Sequence, residues 1–260
     1  MYPELSILGI VLPSWHLFFV IAAISAFLSF RSQSWQEIHE LSPIEQSKLY
    51  IAVYLMTFLG ARLAGLLLEE KIPLAQVPTE LFKIGPMISF GGFLGAFLAG
   101  AFFCIWKKLD LAKVSDAAFP CGMLAAALGR IGCFLNGDDY GTSVVLHGNN
   151  IPIWAVSFPN HHDSIPRYPI QLIETFFLIC LFFCLKKLRH GILRHFGQGG
   201  LFGLTLLCYS IQRIFVEFFR GDVRPMLLNT SISQAQIICL AGILFSLIYL
   251  ATKNKTHEAT

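Results

Sequence analysis

Seven runs of about 20 mostly apolar residues, at 12–30, 49–68, 86–106, 115–135, 170–188, 199–219 and 235–251, dominate this chain. A helix of that length spans the roughly 30 Å hydrocarbon layer of a bilayer. Lipid offers no partner to a bare backbone N–H or C=O, so each run must close its own hydrogen bonds as a helix. The expectation is an all-α polytopic membrane protein with seven transmembrane helices, a single integral membrane domain over residues 1–260. Only 13% of the residues are charged, against about 25% in soluble domains. Small residues four apart, Gly91/Gly95 and Gly199/Gly203, suit closely packed membrane helices. The first run has no basic flank and no small-residue cleavage site, so a retained helix is expected rather than a signal peptide. No internal repeat or low-complexity tract divides the chain.

The Lys and Arg residues set the orientation. With the N-terminus outside, inner segments hold Arg31, Lys48, Lys107, Lys108, Lys113, Lys186, Lys187, Arg189, Arg194, Lys253 and Lys255, which is eleven. Outer segments hold five: Lys71, Lys83, Arg167, Arg220 and Arg224. Arg62, Arg130 and Arg213 fall inside the apolar runs. The expected topology is N-out/C-in, with residues 136–169 as the longest outer loop. The net charge of +3 comes from helix ends rather than a basic stripe, which argues against nucleic acid. The seven cysteines lie mostly in apolar runs without CxxC spacing, which supports neither a disulfide framework nor a zinc site.

The chemistry concentrates in Gly129-Arg130-Ile131-Gly132-Cys133-Phe134-Leu135-Asn136-Gly137-Asp138-Asp139-Tyr140-Gly141. An arginine at the edge of the hydrocarbon layer is costly unless an anion or a wet cavity meets it. Asn136 and Asp138 beside it, with glycines that admit a close ligand, point to an anionic lipid headgroup. Arg213, Glu217 and Arg220 follow i, i+4, i+7, which lines them on one helix face. They read either as a self-satisfied ion-pair ladder or as a phosphate clamp whose arginines Glu217 orients. A guanidinium fits the clamp because its planar fork bonds two phosphate oxygens at once. Gln171 and Glu174 open the fifth run one turn apart; Arg130 or Arg213 would partner Glu174, and complementing the helix dipole is the other reading. Arg62 reads equally as a pair with Glu69 or Glu70 and as part of a site. Ser89, Gly91 and Gly92 open the third run, where paired glycines suit either ligand approach or helix packing. His147, His161 and His162 read as solvated loop residues, and His16 beside Trp15 as an interface anchor.

The Gly129–Gly141 stretch resembles the signature of the bacterial prolipoprotein diacylglyceryl transferases. Further segments fit that family in order: Gly60–Leu63, Ser89–Gly95, Arg167–Glu174, Arg213–Asp222 and Ser231–Gln234. The resemblance covers essentially the whole chain. It implies a seven-helix enzyme of the bacterial cytoplasmic (inner) membrane with its site toward the outer leaflet. Such enzymes move the diacylglyceryl group of phosphatidylglycerol onto the lipobox cysteine thiol of a prolipoprotein, and glycerol phosphate leaves. The implied partners are phosphatidylglycerol, prolipoprotein signal peptides and membrane lipids; no metal or organic cofactor is implied. The catalytic candidates are Arg130, Arg213, Glu217 and Arg220. The substrate-binding candidates are Arg62, Ser89, Gly91, Gly92, Asn136, Asp138, Gly141, Gln171 and Glu174.

Four positions depart from the family's pattern. Phe90 stands where a histidine often named as the base precedes the paired glycines. Cys133 replaces the signature's first Asn, Asp138 its Glu, and Tyr168 the histidine before Pro169. The thiol's proton then has several possible destinations: Glu217, Asp138, a loop histidine, or none if the site holds a thiolate. The competing functions are a diverged paralogue that serves another acceptor or binds lipid without turnover, and a small-solute transporter. The latter would more often show repeats and broken mid-membrane helices.

Overall fold

The computed structural model describes residues 4–7, 10–38, 40–83, 85, 87–144, 151–158, 164–222 and 232–258. His147, His161, His162, Arg224 and Ser231 lie outside the described residues. Two short strands, β1 (Glu4–Ile7) and β2 (Ile10–Pro13), pair antiparallel with Leu5 opposite Leu12. This hairpin departs from the all-α expectation. Among the described residues eight α-helices follow: α1 (Ser14–Glu37), α2 (Pro43–Ala64), the four-residue α3 (Val77–Glu80), α4 (Ser89–Lys107), α5 (Leu111–Asn136), α6 (Ile170–Phe196), α7 (Gly200–Glu217) and α8 (Gln234–Glu258). A π-helical turn, Gly65–Glu69, extends α2.

Each apolar run of the sequence carries one of the seven long helices. Among the described residues, five helices have the length and hydropathy to cross a membrane: Ser14–Ser32, Pro43–Glu69, Ser89–Lys107, Leu111–Asn136 and Gln234–Asn254. The remaining two, α6 and α7, are less apolar because polar groups line one face of each. The buried face of α6 carries Gln171, Glu174, Thr175 and Arg189, whereas Phe176 and Phe183 point outward. Polar residues inside and large apolar ones outside invert the soluble pattern and suit a lipid surround.

The chain forms two compact units, Phe30–Val114 and the remainder, Met1–Ser29 with Ser115–Thr260. In the first, α2 and α4 run against each other through glycine. A Cβ on Gly91 would meet the Gly60 carbonyl oxygen at 2.3 Å, and one on Gly95 would meet that of Met56 at 2.1 Å. A Cβ on Gly92 would sit 3.2 Å from the Thr57 carbonyl oxygen. Backbone contact of this kind maximises dispersion where no hydrophobic force acts between helices. Ser42 and Glu45 form a reciprocal capping box at the start of α2.

In the second unit α6 packs on α7 and α7 on α8. Met123, Ala127, Leu178 and Phe182 form one core cluster, and Leu185, Ile192 and Leu201 another. The Thr175 hydroxyl donates to the Ala127 carbonyl at 3.1 Å, tying α6 to α5. Asp116, 1% exposed, accepts the backbone N–H groups of Gly199 at 2.6 Å and Phe202 at 2.8 Å. A carboxylate from α5 thus satisfies orphan donors at the start of α7, where the helix dipole also favours it. Arg189 donates to the Asp116 carbonyl at 3.4 Å and is buried. The basic cluster 186–194, expected in an inner segment, is the closing turns of α6.

Candidate active site

The candidate site grows from three helix ends within the larger unit. Helix α5 finishes at Asn136, and the chain then turns sharply. Gly137 (φ 88°) and Asp139 (φ 55°) both take left-handed backbone, open to glycine and tolerated by Asp. The N–H groups of Gly137 and Asp138 bond the Cys133 carbonyl at 2.9 and 3.0 Å. The Gln171 side-chain amide, 0% exposed, donates to the Asp138 carbonyl at 2.7 Å and fixes the turn from α6.

Three short extended segments close over this turn. The Thr142 N–H bonds the Phe219 carbonyl at 2.8 Å and the Gly221 N–H bonds that of Tyr140 at 2.9 Å. On the other side the Tyr168 N–H bonds the Thr142 carbonyl at 3.1 Å. Gly141 lies where these strands crowd: a Cβ there would meet the Tyr168 carbonyl oxygen at 2.4 Å. Its glycine serves backbone packing. A cleft of about 270 Å³ opens beside it, lined by Gly141, Thr142, Ser143, Ile165, Arg167 and Gly221.

Beneath the turn runs a continuous chain of charges. Arg213 Nη2 lies 3.1 Å from Glu217 Oε2, and its Nη1 reaches both oxygens of Glu174 at 3.2 and 3.3 Å. Arg130 Nε meets Glu174 Oε2 at 2.8 Å. Arg130 Nη1 bonds one Asp139 oxygen and Arg220 Nη2 bonds the other. Arg220 also grips Asp222 with two bonds, at 2.9 and 2.6 Å. Burial raises the Asp139 pKa, but the guanidinium groups of Arg130 and Arg220 outweigh it and hold the carboxyl below its usual value.

The structure thus brings together Arg130, Arg213, Glu217, Arg220 and Glu174, with Gln171 supporting the turn. Glu174 takes both arginines for which it was matched, and Glu217 orients Arg213. Arg220 departs from the expected single helix face. Helix α7 stops at Glu217, and Arg220 sits in an extended segment paired with Gly141. Asn136 donates to Asp138, whose side chain is exposed.

Arg62, Ser89, Gly91 and Gly92 belong to the smaller unit. Arg62 is 2% exposed, pairs with Glu70 at 2.9 Å and donates to the Glu80 carbonyl at 3.2 Å. Ser89 is the exposed first residue of α4. Gly91 and Gly92 face α2, the packing use of such glycines.

Asp139 and Asp222 were not singled out by sequence reasoning, yet they complete the charge chain. The only hint of Asp139 was its place after Asp138 in the signature. Arg167, expected as an outer charge and as the start of a family-like segment, lies over the Tyr140 ring at 4.7 Å.

The family model described as prolipoprotein diacylglyceryl transferase matches residues 4–252. Among curated relatives, a protein of Rickettsia bellii is 32% identical over 207 residues, 77% of this chain and 75% of its own. One from Proteus mirabilis is 28% identical over 252 residues, 88% of this chain and 81% of its own. One from Rhodospirillum rubrum is 29% identical over 223 residues, 83% and 78% respectively. All three carry the name phosphatidylglycerol--prolipoprotein diacylglyceryl transferase. With that match over nearly its whole length, the chain belongs to the prolipoprotein diacylglyceryl transferase family.

Proposed function

We propose that this protein transfers the diacylglyceryl group of phosphatidylglycerol to the lipobox cysteine thiol of a prolipoprotein. Family membership supports the reaction, and the arrangement of Arg130, Arg213 and Arg220 on one carboxylate chain supports the place where it happens. A carbon–sulfur bond forms at the glyceryl carbon, the carbon–oxygen bond to phosphate breaks, and glycerol phosphate leaves with the thiol proton. Negative charge grows on the departing phosphate. Guanidinium groups already fixed by Glu174 and Glu217 meet that charge without reorganising, which favours the transition state over the ground state. Binding lipid and peptide in one site supplies proximity as well.

Asp138, exposed and held by Asn136, is our choice for the group that takes the thiol proton and passes it to the departing phosphate. The seven long helices span the bacterial inner membrane with the N-terminus outside, which sets Arg130 and Arg220 at the outer leaflet where secreted precursors arrive. Arg62, Ser89, Gly91 and Gly92 support the smaller unit's fold in this reading. The test is purified protein in phosphatidylglycerol micelles with a lipobox peptide, followed by mass spectrometry. A mass gain of one diacylglyceryl group on the cysteine is expected, and an unmodified peptide would refute the assignment.

A further inference from the structure

The charge count around the arginines poses a problem for any anionic substrate. Among the described residues, Arg130, Arg213 and Arg220 are three cations on this chain of ion pairs, and Glu174, Glu217, Asp139 and Asp222 are four carboxylates on it. The forks of Arg130 and Arg220 already face carboxylate oxygens, so a phosphodiester reaches them where one carboxylate yields its place. Glu174 and Glu217 are 3% and 2% exposed; Glu174 is locked between Arg130 of α5 and Arg213 of α7, and Glu217 pairs with Arg213 on its own helix. Asp222 is held by both nitrogens of a bidentate fork from Arg220. Asp139 differs from all three. Its side chain is 31% exposed, and its two oxygens go to two different arginines.

We propose that Asp139 is the resident occupant of the phosphate seat. Its carboxylate fills the place between Arg130 and Arg220 that two phosphate oxygens take in turn, and it swings out when the lipid headgroup enters. A carboxylate and a phosphate present the same bidentate oxygen pair to guanidinium groups, so one can stand in for the other. The turn itself need not move. Gln171 and the Cys133 carbonyl hold its backbone, and the exchange takes only rotation about the two side-chain torsions of Asp139. Two consequences follow for turnover. The resident carboxylate keeps the arginines spaced and charged-paired, at the cost of reducing affinity by the fraction of time the seat is filled. It also competes with the departing glycerol phosphate and so speeds product release.

The inference rests on the headgroup reading above, and one experiment separates the two. Phosphatidylglycerol is titrated into micelles of a neutral lipid with the lipobox peptide, and added glycerol phosphate is tested as an inhibitor, for the unmodified protein, Asp139→Asn and Arg130→Ala. The expected result for Asp139→Asn is a KM for phosphatidylglycerol about tenfold lower, inhibition by glycerol phosphate strengthened to a similar degree, and a reduced kcat. Arg130→Ala is expected to raise the KM or abolish turnover. If Asp139→Asn leaves both affinities unchanged or weakens them while Arg130→Ala still loses activity, Asp139 is a strut and the seat proposal falls. If Arg130→Ala binds phosphatidylglycerol as the unmodified protein does, the headgroup reading falls and takes the proposal with it. Should the Asn variant not fold, as judged by circular dichroism, Asp139→Ser carries the same expectations.

Discussion

A lysine in place of Arg130 would keep the charge and lose the fork. Arg130 uses Nε toward Glu174 and Nη1 toward Asp139, two directions that a single ammonium cannot serve together. Arg130→Lys is therefore expected to insert and fold, yet lose at least about 99% of transfer activity, roughly the 2.7 kcal/mol of one charge-assisted site interaction. Near-normal turnover in the micelle assay would remove Arg130 from the site. Asp139 adds a pH dependence at the same scale. Its folded pKa lies below the ordinary 3.8, so its contribution to stability is complete above that value and drains away as pH falls through the folded one. The stability gap between the unmodified protein and Asp139→Asn should be widest near neutral pH and shrink below about pH 4, as read by thermal melting across pH. Residue types in the signature were legible in the sequence, and so was the pairing of Glu174 with Arg130 and Arg213. The bridging of Asp139 was not, because it depends on a left-handed backbone that sequence spacing does not encode.

At the scale of elements, helices were legible because apolar length alone forces them in lipid. Local caps were equally open to reading, as in the Ser42–Glu45 box. Long-range caps were not. Asp116 caps α7 from 83 positions away, so no window around Gly200 contains the signal. Arg220 shows the same limit: seven residues of helical spacing placed it on α7, but pairing with Gly141 ended the helix at Glu217. The cap should matter for stability. Asp116→Ala leaves one buried and one part-buried N–H group without their acceptor and is expected to cost about 1–3 kcal/mol. A fall in melting temperature with little change in KM for phosphatidylglycerol is the expected pattern; an unchanged melting temperature would show that water replaces the carboxylate.

For the whole molecule, two lines of reasoning of different kinds bear on the proposed orientation. One is charge: eleven Lys and Arg residues against five by the side they would face. Its strongest contribution, Lys186, Lys187, Arg189 and Arg194, now proves to be the end of α6 rather than a loop. That helix of 27 residues is about 40 Å long, longer than the hydrocarbon layer, so in the proposed topology its basic turns would emerge beyond the lipid. Arg189, buried against Asp116, is the member of this cluster whose structural role does not depend on topology. The other line is chemical: a secreted prolipoprotein meets its modifying enzyme from outside, and Arg130, Asp139 and Arg220 gather at the opposite end of α6 from that cluster. Single cysteines report the outcome directly. A membrane-impermeant maleimide added to intact cells should label Ile153→Cys, at a fully exposed position in the loop, and should label His195→Cys only after the membrane is opened. The seven native thiols set the baseline. The reverse pattern would place the arginine chain on the cytoplasmic side, where no translocated lipobox could reach it, and the proposed reaction would lose its geometry along with its topology.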